Sequence, residues 1–218
     1  NKLILFHILC LEQMSAGKSA QKRSYKLSGG TDMEKIRENP HWTFNHTMFT
    51  PEDVSLIASL IPNTVTTLSL YNCGITIISP LKDSIPNVQE LHLGANNIVD
   101  ISPLHGSMPN VQTLDLSGNQ IVDISPLHDS MPNVQTLVLS ENQIEDITPL
   151  HDSMPNVQKL WLHNNQIVDI SPLHDSMPNV QYLVLGDNKI EGKEEFKSHW
   201  KSLGKKEDCT CNFISFGL

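Results

Sequence analysis

Polar and apolar positions along this chain fall into a block that returns at a fixed interval. The stretch PNVQTLDLSGNQIVDISPLHDSM, Pro109 to Met131, is followed by PNVQTLVLSENQIEDITPLHDSM from Pro132 and PNVQKLWLHNNQIVDISPLHDSM from Pro155. Aligned on its first valine, the block recurs at Val65, Val88, Val111, Val134, Val157 and Val180, each 23 residues after the last, which makes six units. Two leucine columns repeat without change: Leu68, Leu91, Leu114, Leu137, Leu160 and Leu183, and then Leu70, Leu93, Leu116, Leu139, Leu162 and Leu185. An asparagine column follows, Asn96, Asn119, Asn142, Asn165 and Asn188, with Cys73 in the first unit. An isoleucine stands two residues later throughout, from Ile75 to Ile190. Self-similarity of this period is the mark of a stacked repeat architecture.

Each Leu-x-Leu segment alternates with period two, which predicts one short strand per unit, its leucines turned inward and the residues around them facing solvent. The asparagine column suits a buried ladder, because a carboxamide both donates to and accepts from backbone groups in a tight bend. Ser-Pro-Leu at Ser102, Ser125 and Ser171, and Thr148 with Pro149, predict an N-cap residue ahead of a proline in the first turn of a short helix. No unit can bury its apolar face alone, so stability comes from stacking and both ends need covers. Thr50-Pro51-Glu52-Asp53 reads as the cap, proline and acidic first turn of a helix carrying Val54, Ile57, Ala58 and Ile61 on one face, which shields the first strand. At the other end, Lys193 to Leu203 carries Phe196, Trp200 and Leu203 at helical spacing before Gly204, a terminating helix.

The full spacing, V-x-x-L-x-L-x-x-N-x-I-x-x-I-x-P-L, closely resembles the leucine-rich repeat family over roughly Ile61 to Ile190. The Ile-x-Asp-Ile-Ser-Pro-Leu ending is similar to its short-repeat, internalin-like subclass, from which the PLHDSMPN segment departs. The resemblance implies an α/β fold: a leucine-rich repeat solenoid, or horseshoe, with a parallel concave sheet, short 3₁₀ or helical convex turns and helical caps. The organisation expected from these elements is a flexible N-terminal segment over 1–30, an N-terminal helical cap over 31–61, six repeats over 62–190, and a C-terminal helical cap and tail over 191–218.

Core and turn columns repeat because stacking demands like units, whereas the outward strand positions are free to vary. Those positions are where function is sought. The middle outward column carries His92, Asp115, Val138, Trp161 and Val184, flanked by Tyr71, Lys159, His163 and Tyr182. Neighbouring strands lie about 4.8 Å apart, so Val138, Trp161 and Val184 are expected to form one apolar ridge, with Tyr182 and His163 beside it. Aromatic and apolar residues gathered on a surface mark interaction sites. The reading is a protein-binding module that uses its concave face. The alternative is a structural or regulatory subunit that assembles through the convex face or the termini, and the sequence sets no oligomeric state.

Composition narrows the alternatives. A net charge of -9 with pI near 5.5 argues against nucleic acid as a partner, since phosphate binding relies on clustered Lys and Arg. No run approaches the ~20 apolar residues of an integral membrane segment. Cys10, Cys73, Cys209 and Cys211 are too few and too unevenly placed for a disulfide framework or a zinc site. A reducing compartment fits them, which sets a cytoplasmic location ahead of a secreted one. Two readings of the start stay open: residues 1–17 as a short signal peptide, which would make the chain secreted and Asn45-His46-Thr47 a glycosylation sequon, or a natural start at Met14.

Gly17-Lys18-Ser19 lacks the upstream glycine of a phosphate-binding loop, Glu12 standing in its place, and reads as linker. Convex histidines at His105, His128, His151 and His174, with Asp129, Asp152 and Asp175, form a line rather than the three or four converging ligands of a metal centre. No catalytic pairing of side chains is apparent, so neither an enzyme nor a cofactor is expected; a hydrolase or metal-dependent activity would need a partner domain.

Overall fold

A computed structural model of the chain describes residues 36, 38–174 and 176–202. Residues 1–35, which hold Cys10 and the Gly17-Lys18-Ser19 segment, lie outside the described residues, as do Leu203, Gly204, Cys209 and Cys211. Each repeat contributes one three-residue strand: β2 (Thr67–Ser69), β3 (Glu90–His92), β4 (Thr113–Asp115), β5 (Thr136–Val138), β6 (Lys159–Trp161) and β7 (Tyr182–Val184). All pair in parallel and in chain order, with the first leucine of each unit opposite the first leucine of the next. Returning chain on the convex side makes a 3₁₀ turn in five units, from Ser79–Leu81 to Ser171–Leu173.

The leucines define the core. All twelve of the Leu-x-Leu columns are at most 2% exposed, and so are the isoleucines Ile98, Ile121, Ile144 and Ile167. Each fully buried leucine contributes about 1.5–3 kcal/mol relative to exposure. Between the layers runs the asparagine ladder. Asn142 Oδ1 accepts the amide of Ile121 at 3.0 Å, and its Nδ2 donates to the carbonyls of Leu116, Leu139 and Ser140 at 3.0 to 3.2 Å. Asn119, Asn165 and Asn188 repeat this arrangement, while Asn96 Oδ1 accepts from both Cys73 and Ile75. Buried backbone groups with no strand partner are thereby satisfied. Cys73 occupies the column in the first unit with its thiol on the Phe44 and Tyr71 carbonyls, and burial pushes its pKa up.

A residue with positive φ follows the strand of every repeat: Asn72, Ala95, Gly118, Glu141, Asn164 and Asp187. Asn, Asp and Gly suit this left-handed backbone; Ala95 and Glu141 adopt it at a cost of roughly 1–2 kcal/mol.

Two expectations need correction. The sheet has a seventh strand, β1 (His41–Thr43), which pairs Trp42 with Leu68, 26 residues on. Trp42 is buried, its Nε1 donates to the Ile36 carbonyl at 2.9 Å, and its ring meets Phe44 edge-on. The helix α1 (Pro51–Leu60) forms as expected, with Thr50 and Asp53 in a reciprocal capping box, but it packs on the convex side beside the first 3₁₀ turn. An open sheet edge needs backbone partners, which a strand supplies and a helix does not. The second correction concerns the convex caps. Ser102, Ser125, Thr148 and Ser171 are the first residues of the 3₁₀ turns rather than their caps; their N–H groups donate to Asp100, Asp123, Asp146 and Asp169, each at 2.8 Å. At the far end α2 (Lys193–Ser202) lays Phe196 and Trp200 into the core, their rings stacked at 5.5 Å.

Candidate partner-binding face

Parallel register decides which outward side chains meet. Ser69, His92, Asp115, Val138, Trp161 and Val184 occupy one column, each directly opposite the next. Thr67, Glu90, Thr113, Thr136, Lys159 and Tyr182 form the column beside it. Backbone hydrogen bonds just past the strands, such as Glu141 N–H to the His163 carbonyl at 2.9 Å and Asn164 N–H to Gly186 at 3.0 Å, extend the register to the third column.

The face divides into two parts. Over β5 to β7, Val138, Trp161 and Val184 lie side by side as an apolar ridge. All three are half-buried, so the exposed aromatic here is Tyr182 (43%) rather than Trp161. Lys159 Nζ sits 5.7 Å from the Tyr182 ring centroid, within cation–π range. His163 belongs to the same part, and its Nδ1 is buried with no hydrogen-bond partner among the described residues.

Over β3 and β4 the face turns polar and acidic. Asp115 Oδ1 accepts from the amide and the hydroxyl of Ser117 at 3.0 and 2.6 Å. This fixes the carboxylate over Gly94, where an added Cβ would stand 3.0 Å from Asp115 Oδ2 and 2.9 Å from Ser117 Oγ. His92 Nε2 lies 3.8 Å from Glu90 Oε2, an acidic neighbour absent from the candidates read in the sequence although it occupies an outward strand position. Tyr71 stands apart, four strands or about 19 Å from the level of Trp161, with its ring edge-on to His46 at 5.8 Å.

Three of the four convex histidines stitch units together, His151 through the Pro172 carbonyl, whereas the His174 ring packs against Phe196 and His199 of α2. His105 Nδ1 is 3.3 Å from the Pro126 carbonyl and 3.0 Å from Ser130 Oγ, and His128 repeats the pattern with Pro149 and Ser153. Among the described residues no group of three or more His, Cys, Asp and Glu side chains is placed to hold a metal ion, and no helix is long and apolar enough to cross a membrane.

One strand per unit, a tight convex turn in five of them, an asparagine ladder and a varied parallel face define a repeat protein of the protein-interaction class. A family model described as leucine-rich repeats (2 copies) matches residues 63–104, 109–150 and 155–198, and the chain belongs to the leucine-rich repeat family. Among solved structures, an internalin (inlF) from Listeria monocytogenes is 26% identical, with a TM-score of 0.53, over 84% of this chain and 63% of that one. An internalin C2 (inlC2) from the same organism is 27% identical, with a TM-score of 0.40, over 71% and 80%. The chain thus spans 63% of the length of the first of these structures. No curated protein sequence matches it.

Proposed function

We propose that the chain binds a partner protein through its concave face, with Val138, Trp161, Val184, Lys159, Tyr182 and His163 as the main contact and His92 and Asp115 as a polar extension. The observation that carries this reading is the apolar ridge, continuous across three adjoining strands on a surface that packing leaves free to vary. Membership of a family of interaction modules supports the class. The acidic end, Glu90 with Asp115, suits a partner that sets a basic side chain near an apolar one. Tyr71 would be reached only by a partner spanning most of the sheet. Recovery of a partner by wild type and by a Trp161→Ala, Val184→Ser double variant, folded by circular dichroism, tests the proposal. Specific loss in the variant supports the face as the binding surface; equal recovery overturns it.

A further inference from the structure

Away from the concave face, where the chain turns from the convex side into each strand, a shallow groove of about 670 Å³ runs along the solenoid. Only asparagine and glutamine line it. One wall is the column Asn110, Asn133, Asn156 and Asn179, whose Nδ2 groups donate to the carbonyls of Pro86, Pro109, Pro132 and Pro155 one unit back, at 2.8 to 2.9 Å. Architecture therefore explains the asparagines. It does not explain the other wall, Gln89, Gln112, Gln135, Gln158 and Gln181, whose side-chain amides bond to no other described residue.

Outward-facing columns elsewhere have drifted. The residue following each of these glutamines is Glu90, Thr113, Thr136, Lys159 or Tyr182, and the position after the core isoleucine is valine in three units (Val99, Val122, Val168) and Thr76, Glu145 or Glu191 in the others. The glutamines have not drifted, and Thr66 in the first unit shows that the backbone accepts another residue there.

We infer that this groove is a binding site for a neutral, hydroxyl-rich glycan chain lying along the solenoid axis. A lining of uncharged amides offers paired donors and acceptors, the complement of sugar hydroxyls, which do both. With no Lys or Arg it has nothing to neutralise phosphates, and with no apolar side chain it offers no hydrophobic drive. An extended peptide fits the spacing poorly: its carbonyls on one side recur at roughly 6.6 Å against units about 4.8 Å apart. A polyproline II chain comes closer in period but docks on aromatic-lined grooves. Sugar residues carry hydroxyls around their whole surface, so no strict register is needed.

The experiment titrates the full chain with maltohexaose, cellohexaose, laminarihexaose and chitohexaose, and separately with decaproline, while following glutamine side-chain amide signals by NMR. At least one sugar is expected to bind with a dissociation constant on the order of 1 mM. Binding should be insensitive to salt, roughly tenfold weaker in a Gln112→Thr, Gln135→Thr variant that copies the threonine of the first unit, and unchanged by Trp161→Ala. The proposal is overturned if none of the four sugars moves the glutamine amides, if the double variant binds as wild type, or if decaproline alone occupies the groove. The Trp161→Ala arm keeps this outcome separate from the fate of the concave face.

Discussion

Lys159 on β6 and Tyr182 on β7 stand directly opposite each other, the ammonium 5.7 Å from the ring centroid, at the edge of the apolar ridge. At an exposed site this contact is worth about 0.5–1 kcal/mol, and neither side chain carries the core. Tyr182→Ala is therefore expected to lower denaturant stability by no more than about 1 kcal/mol while weakening a captured partner roughly tenfold or more, in the manner of an interface anchor. Chemical denaturation and surface plasmon resonance on one preparation check both halves. A stability loss well above that, with affinity intact, would make Tyr182 a packing residue.

Asn142 supports a different expectation. Its amide joins the Ile121 N–H to three carbonyls in two units, so Asn142→Ala leaves the buried Ile121 N–H without its partner and takes one of the bonds from each of the three carbonyls. A loss of at least about 2 kcal/mol follows. Urea denaturation measures it, and Gln143→Ala, an exposed neighbour, should stay within about 0.5 kcal/mol of wild type.

Glu141 is exposed and holds φ at 57°, where Asn72, Gly118, Asn164 and Asp187 occupy the same place in other units. Replacing it with glycine removes the strain of a Cβ in left-handed backbone but adds chain entropy to the unfolded state. The balance is a gain of about 0.5 kcal/mol. A raised melting temperature for Glu141→Gly, with partner binding unchanged, is the expected result.

Asp169 gives a pH dependence whose sign is fixed by its contacts. The Ser171 N–H, first, and its hydroxyl both donate to the carboxylate and hold its pKa below the ordinary value, with nearby His174 adding slightly. A depressed folded pKa means stability that is complete above the unfolded pKa, about 3.9, and is lost as pH falls through the folded value. The melting-temperature gap between wild type and Asp169→Ala should be constant from about pH 5 to 8 and close below about pH 4. A gap that widens on acidification would contradict this assignment.

Local pattern carried much of the architecture, and its failures have identifiable causes. The period of the leucine, asparagine and isoleucine columns sets strand, core and ladder because identical units can stack in only one register. Trp42 and Phe44 also alternate, but the 26-residue step to Leu68 breaks the period, and four residues without Leu-x-Leu carry too weak a signal. The aspartates that accept from these amides were visible as Asp-Ile-Ser, yet whether Ser stands before the 3₁₀ turn or inside it depends on where the turn begins, a matter of one residue.

For the surface, sequence alone determined which columns face outward and which residues differ among units, since period-two alternation and repeat comparison need no coordinates. Tertiary structure decided depth and company. It half-buried Trp161 between Val138 and Val184 and left Tyr182 outermost; it tied His105 and His128 to a serine and a proline of the next unit. It also gathered glutamines 23 residues apart into one groove. These outcomes depend on distances between units that are remote in sequence, which the curvature and stacking of the solenoid set and no single unit encodes.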